Sequence, residues 1–135
     1  MSVTEGYRAT LGDDPNEVEA VRLAIRRLAA EGHFAERADD LALALAEIVA
    51  NAQEHGRKPV TVRAWLDGRL IIEVTDAGPG FDAEALVPDS PPTHRGQRGR
   101  GLWIARQLVD HMAVTTGPTG TTVRLELSPE PHIGA

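Results

Sequence analysis

The stretch Leu41–Gly56, LALALAEIVANAQEHG, decides the fold, because it places a polar row beside an apolar stripe on one predicted helix. The apolar stripe has the spacing of a buried helical face and consists of Leu41, Leu45, Ile48 and Ala52. The polar row follows at intervals of four and consists of Glu47, Asn51 and His55. Each interval of four turns the side chain by only about 40° around the axis, so the row follows the margin of the stripe. Gly56 is expected to cap the helix end.

This polar row has two interpretations. Glu and Asn four residues apart are common on solvated helices, and such a pair alone establishes no function. The same spacing at the margin of a buried stripe directs a carboxylate and an amide into the rim of a cavity. The residues on either side of the helix are therefore needed to decide between the two.

On the N-terminal side, the sequence predicts a strand followed by a helix. Residues Gly6–Leu11 alternate weakly, as an edge strand does. Asp14 is placed as an N-cap, Pro15 falls in the first turn, and Glu17 lies three residues after the cap, as in a capping box. Apolar residues at helical spacing then continue the helix to about Ala30.

On the C-terminal side, the runs Val60–Leu66 and Leu70–Thr75 are rich in strand-forming residues, and the short connection between them indicates a hairpin. The second strand leads into Asp76-Ala77-Gly78-Pro79-Gly80. A carboxylate at a strand end followed by two glycines lets the backbone turn sharply and approach a ligand closely. On its own this D-x-G-x-G pattern is also compatible with an ordinary turn.

The region Val87–Arg100 is rich in proline, then in glycine and arginine, and a connection of this length is typical of a functional lid or a mobile segment. It delivers Gly99-Arg100-Gly101 to a predicted helix over Leu102–His111. Glycines before a helix N-terminus favour an anion site, because free N–H groups and the helix dipole point the same way. A final hairpin is predicted from the runs Met112–Thr116 and Thr121–Leu127.

Length and composition limit the class of protein. A chain of 135 residues predicts one domain over 1–135, with a core over about 7–127 and a flexible tail over 128–135. It has no cysteine, which excludes disulfides and thiolate metal sites, and no apolar run or leader that suggests a membrane or secretion. We therefore expect a cytoplasmic protein that does not bind membranes.

A net charge of −6 argues against direct binding to nucleic acid but allows a local nucleotide pocket. Arginine far outnumbers lysine, which is typical of GC-rich genomes such as those of actinobacteria.

Taken together, E-x-x-x-N on a helix, D-x-G-x-G after a strand and G-x-G before a helix occur in the order seen in one known fold. With Gly120-Thr121 opening the last strand, the chain resembles the ATP-binding (Bergerat) fold of DNA gyrase, the large heat-shock chaperones, histidine kinases and MutL, the GHKL superfamily. The resemblance implies an α+β fold. We expect a two-layer α/β sandwich with a mixed, mainly antiparallel sheet and helices on one face.

Within that superfamily the chain is most similar to bacterial anti-sigma factor serine/threonine kinases of the RsbW and SpoIIAB type. The similarity lies in EIVANAQEHG, in GRGLWIARQLVD and in the short length. A truncated histidine kinase domain is a less favoured interpretation of this chain than an anti-sigma factor kinase. Histidine kinases carry a dimerisation helix pair, for which we expect no room before Tyr7, and they generally lack a carboxylate where Glu47 stands. Trp103 departs from the pattern, since many relatives have a small residue there.

The resemblance also implies a role for each matching residue. Asn51 would coordinate Mg²⁺, and Glu47 would be the general base. Asp76 and Thr121 would bind the adenine. The remaining residues expected at the nucleotide are Gly78 and Gly80 beside the purine, Gly99 and Gly101 at the phosphates, and Arg100 and Leu102 next to them.

The expected function is that of an ATP- and Mg²⁺-binding anti-sigma factor. It would sequester a sigma factor and phosphorylate a serine on an anti-anti-sigma antagonist of the STAS type, and it would form a homodimer. The alternative is a protein-binding module without catalysis, in which the nucleotide only sets the conformation of a partner surface. The Mg²⁺ and adenine ligands would serve both functions, so the sequence leaves the choice open.

Overall fold

The structure is a computed structural model that describes residues 4–12, 14–55, 57–78, 96–118 and 120–129. Within these ranges the side chains of residues 4, 5, 55 and 96–101 are not described. Gly56, Gly80 and most of the predicted lid therefore lie outside the described residues. In the described part of the chain, no helix combines the length and apolar character needed to cross a membrane.

The first strand and helix follow the predicted start signals with one change. Strand β1 covers Thr4–Leu11 and helix α1 covers Pro15–Glu31. The Asp14 side chain accepts a hydrogen bond from the Asn16 N–H at 2.9 Å, which confirms the N-cap. Glu17 does not complete a capping box, because its Oε2 instead accepts a hydrogen bond from the Gly12 N–H at 3.1 Å. Glu17 thus fixes the turn that joins β1 to α1.

The central helix, α2, covers Ala38–His55 and follows a short 3₁₀ turn over Ala35–Arg37. Its predicted apolar stripe is buried, since Leu41, Leu45 and Ile48 are each 1% exposed. α2 packs against α1 on one side and against the third helix on the other. Because it is the middle helix of the layer, both margins of its stripe face a neighbour.

Four further strands complete one sheet, and their bounds are β2 Val60–Leu66, β3 Leu70–Asp76, β4 His111–Gly117 and β5 Gly120–Leu127. The strand order is β1-β2-β3-β5-β4, and every pair of neighbouring strands is antiparallel. Alternate residues of the central strands point into the core, as in β5, where buried and half-buried residues alternate. This arrangement confirms the α+β fold with a helical layer on one face of the sheet.

The third helix, α3, covers Gly96–Leu108, which corrects the prediction of a helix over Leu102–His111. Gly99 and Gly101 lie within its first turns and not before its N-terminus. Two glycines lower helix stability by about 1 kcal/mol each, but the helix still forms around them because its C-terminal half packs against α2. It ends early because His111 already pairs with Glu126 in the sheet.

The hydrophobic core lies between the helices and the sheet. From the helical layer, α1 contributes Ile25, α2 contributes Leu45, and α3 contributes Leu102 and Ala105. Phe34, in the connection between α1 and α2, is 7% exposed and joins the same core. By contrast, Trp65 is half-buried on the opposite face of the sheet.

Candidate functional site

Two buried polar residues meet at one end of the sheet. Asp76 at the end of β3 and Thr121 near the start of β5 are cross-strand neighbours. They are 7% and 2% exposed, and they are the two buried polar or charged residues in the part of the chain that the structure describes. Both continue the core-facing rows of their strands, which places them under the helical layer. A pair of buried polar residues needs partners, because burying a polar group without hydrogen bonds is unfavourable.

Asp76 is held in place by the loop that follows it. The Gly78 N–H donates a hydrogen bond to Asp76 Oδ1 at 2.7 Å, so the chain folds back over the carboxylate. The Ala77 N–H donates to the carbonyl oxygen of Arg57 at 2.8 Å and ties this turn to the connection after α2. The carboxylate of Asp76 accepts no other hydrogen bond from the described residues. Its carboxylate is therefore fixed in position while retaining acceptor capacity for a ligand.

Thr121 has a buried hydroxyl without a partner. Its Oγ1 makes no hydrogen bond within the described residues. Leaving a buried hydroxyl unpaired costs about 1–3 kcal/mol, a cost that a bound ligand with a suitable polar atom would remove. The neighbouring hydroxyl, Thr122 Oγ1, lies on the other face and is 2.9 Å from Thr75 Oγ1. The unpaired hydroxyl is thus the one that faces the same side as Asp76.

Gly120 allows the backbones of β3 and β5 to approach closely beside this pair. A Cβ atom at Gly120 would collide with the carbonyl oxygen of Asp76, and the residue has a φ of 157°. A side chain here would push the start of β5 away from Asp76. From the sequence, Gly120 is expected to open the last strand, with no predicted role in the site. Its position directly before Thr121 is the signal that points to such a role.

The polar row of α2 is arranged as its spacing predicts. Glu47 and Asn51 are both half-buried, between the buried stripe and the exposed surface of the helix. Ile48, which adjoins Glu47 in sequence, is 1% exposed. The two polar side chains therefore lie at the margin of the buried stripe of α2. The side chain of His55, the third member of the row, lies outside the described residues.

The predicted phosphate segment is only partly described. The backbones of Gly99, Arg100 and Gly101 are helical, and their side-chain surroundings are not described. The Leu102 side chain is 3% exposed and belongs to the hydrophobic core. Leu102 therefore anchors the middle of α3 to the core.

These residues have the chemistry that an adenine nucleotide requires. A fixed carboxylate accepts a hydrogen bond from an amino group, and the orphaned Thr121 hydroxyl offers a second polar contact at the same place. Magnesium prefers hard oxygen ligands and keeps several waters, so the amide oxygen of Asn51 suits it together with phosphate oxygens. Within the described residues no cluster of three or more His, Asp or Glu side chains forms a metal site.

Comparison with known proteins identifies the family. The model of the family described as "Histidine kinase-like ATPase domain" matches residues 11–127. The chain belongs to the histidine kinase-like ATPase family. This family match covers every element from the end of β1 to the end of β5, including the Asp76–Thr121 pair.

Solved structures agree with this assignment. The RsbU and RsbW domains of Rv1364c from Mycobacterium tuberculosis are 26% identical with a TM-score of 0.63, over 93% of this chain and 32% of that one. The histidine kinase domain of a blue-light-activated kinase from Erythrobacter litoralis has a TM-score of 0.55 at 24% identity, over 88% and 67% of the two chains. The ATPase chain thus spans about a third of the Rv1364c structure and is a GHKL-type domain related to RsbW. No curated protein matches the sequence significantly.

A second polar cluster, at the opposite end of the helices, was not anticipated from the sequence. Arg37 Nη1 donates to Asp110 Oδ2 at 2.8 Å, and Arg37 Nη2 donates to the Leu108 carbonyl at 3.2 Å. The Ser128 N–H also donates to Asp110 Oδ2, at 2.8 Å. The hydrogen bond from Arg37, partly opposed by burial, holds the pKa of Asp110 below its usual value. This cluster joins the start of α2, the end of α3 and the end of β5.

Proposed function

We propose that this ATPase-family domain is an anti-sigma factor that binds ATP, sequesters a sigma factor, and phosphorylates a serine on an antagonist of the anti-anti-sigma class. The observation that carries the nucleotide part is the Asp76–Thr121 pair, with a fixed carboxylate beside an unpaired buried hydroxyl. The regulatory part is supported by similarity to a structure that contains an RsbW domain. We further propose that the protein works as a homodimer in the cytoplasm.

In the proposed nucleotide complex, Asp76 accepts a hydrogen bond from the adenine amino group and Thr121 contacts the same base. Gly78 and Gly80 let the backbone pass close to the purine. On the phosphate side, the backbone N–H groups near Gly99, Arg100 and Gly101 would serve the phosphates. Gly99 lies in the first turn of α3, where N–H groups have no helical partner, and this supports the role for Gly99. Arg100 and Gly101 lie in the second turn, where this support is absent.

In the proposed transfer, Glu47 accepts the proton of the attacking serine hydroxyl. The serine oxygen then forms a bond to the γ-phosphorus, the bond from that phosphorus to the β–γ bridging oxygen breaks, and ADP leaves with that oxygen. When bound, Mg²⁺ supplies charge neutralisation on the phosphate oxygens, and Asn51 would be its protein ligand. Glu47 lies one helical turn before Asn51, so a base and a metal ligand are carried by one rigid element.

The kinase reaction is tested with γ-labelled ATP and a candidate STAS-type antagonist. We expect the wild type to label the antagonist and Glu47→Gln to lose labelling while nucleotide affinity measured by calorimetry is retained. Glu54→Gln is the matched control, because it makes the same change on an exposed position of the same helix. Unimpaired transfer by Glu47→Gln would remove Glu47 from the mechanism. A stable complex with unlabelled antagonist in the wild type would favour the non-catalytic, nucleotide-dependent binding module.

A further inference from the structure

The face of the sheet that points away from the helices carries a regular row of threonines. The pairing register places one threonine of each strand side by side. In spatial order from β1 to β4 the threonine row consists of Thr10, Thr61, Thr75, Thr122 and Thr115. All five are exposed or half-buried. No helix of the described chain covers them, since the helical layer packs on the other face.

The threonine row forms a strip across all five strands and is called the trough below. Strands are spaced by about 4.8 Å, so four spacings extend about 19 Å, which equals the length of roughly 13 helical residues. Short β-branched side chains give this strip a low, even surface of methyl and hydroxyl groups. The hydroxyls of Thr75 and Thr122 lie 2.9 Å apart, and this contact holds the two side chains together in the middle of the row.

A row of charged residues borders the trough on one side, with Arg8, Arg63, Glu73 and Arg124 on successive strands. Glu73 lies between two of these arginines, 3.7 Å from Arg63 Nη1 and 3.4 Å from Arg124 Nη1. Arg8 lies directly opposite Arg63 and has no acidic partner within the described residues. Like charges opposite each other on a sheet are destabilising. Positive charge is thus in excess at the β1–β2 end of the row.

An aromatic residue supports this charged row from the next position along the strands. Trp65 is the cross-strand neighbour of Ile71, which is only 1% exposed although it lies on this outer face. The guanidinium of Arg63 lies 5.3 Å from the centre of the Trp65 ring, and that of Arg124 lies 5.7 Å from it. Contact with the ring limits the motion of both arginines. For Arg63 this restraint lowers the entropy lost on binding a partner.

We propose that the outer face of the sheet binds an amphipathic helix of a partner protein, which lies across the strands in the threonine row and carries acidic side chains along the edge that faces Arg8 and Arg63. A protein is favoured over nucleic acid because the chain has a net charge of −6, which repels an extended polyanion. The proposal rests on the proposed function, since a regulator of this kind needs a protein-binding face.

The test uses NMR with a stapled helical peptide of about 14 residues that bears glutamates along one edge, a length set by the trough. The indole N–H signals of Trp65 and Trp103 are followed, because Trp103 on α3 serves as an internal control. We expect the Trp65 signal to shift on titration and the Trp103 signal to stay. The double variant Arg8→Gln/Arg63→Gln should weaken binding about tenfold, as expected for two partly exposed ion pairs. The matched variant Arg22→Gln/Arg27→Gln, on α1, should have no effect.

A second variant separates docking in the trough from general attraction between charges. Thr61→Lys adds a positive charge but places a long side chain in the threonine row. This variant should bind the acidic peptide severalfold more weakly if the helix lies in the trough, whereas stronger binding would overturn the proposal. Equal binding of a single-stranded oligonucleotide of the same charge, or a Trp65 shift that depends only on protein concentration, would overturn it as well. ATP affinity, measured on the same samples, shows separately whether the nucleotide site has failed.

Discussion

Thr121→Val is expected to stabilise the protein and to weaken nucleotide binding, two effects of opposite sign from one substitution. Valine has nearly the shape of threonine, so the variant keeps the packing of a residue that is 2% exposed and removes only the unpaired hydroxyl. Removing a buried, unsatisfied polar group should raise the free energy of unfolding by about 1 kcal/mol, which corresponds to an increase in Tm of about 3–4 °C for a domain of this size. Losing a hydrogen bond to adenine of about 0.5–1.5 kcal/mol should weaken nucleotide binding about three- to tenfold.

Thermal unfolding of the nucleotide-free protein and calorimetric titration with ADP measure the two effects. Thr122→Val is the matched control, because this neighbour lies on the outer face with its hydroxyl 2.9 Å from that of Thr75. The control should lose a few tenths of a kcal/mol of stability and none of its nucleotide affinity. A less stable Thr121→Val protein with unchanged ADP affinity would refute the reasoning, since it would show that the hydroxyl is bonded within the protein and does not contact the nucleotide.

Three further predictions follow from the same structure. Asp76→Asn should weaken ATP binding at least tenfold in calorimetry, because a charged acceptor is replaced at a fixed position; an unchanged affinity would place the adenine elsewhere. Gly120→Ala should lower the free energy of unfolding, measured in urea, by about 2 kcal/mol, because the added Cβ meets the Asp76 carbonyl oxygen. The control Gly117→Ala has open space around its Cβ, so its free energy of unfolding should stay near that of the wild type. Asp110→Asn should reduce Tm near neutral pH, with a loss of about 1 kcal/mol in the free energy of unfolding. The difference between wild type and variant should shrink as pH falls through the lowered pKa of Asp110, because the wild-type carboxylate is then protonated and its ion pair with Arg37 is lost. A difference that is constant with pH would contradict it.

The fold was predictable from the sequence where one physical signal dominated. The buried stripe of α2 follows one periodicity, and β2 and β3 follow from strand-forming runs with a short connection; the structure confirms both. The start of α3 was predicted wrongly, because the glycines that suggest a loop are outweighed by packing of the helix against α2. Local sequence carries no information about that distant contact.

The candidate site was likewise predictable only in part from the sequence. Asp76 and Thr121 were selected by resemblance, and the structure places them side by side. The close approach at Gly120 and the Arg37–Asp110 pair arise from residues far apart in sequence. Neither arginine nor aspartate has a local pattern that distinguishes a specific ion pair from a solvated charge, so these contacts could only be found in three dimensions.

The two halves of the proposed nucleotide site belong to parts of the molecule that should open at different rates. Asp76 ends β3, which is hydrogen-bonded to a strand on each side, whereas α3 packs mainly on α2 at the margin of the helical layer. Backbone amides of β3 should therefore exchange with deuterated water only on global unfolding, and those of α3 through smaller, more frequent openings. A nucleotide that spans both would slow exchange in α3 far more than in β3. Nucleotide binding would then change how long α3 stays folded between openings, while the sheet stays unchanged.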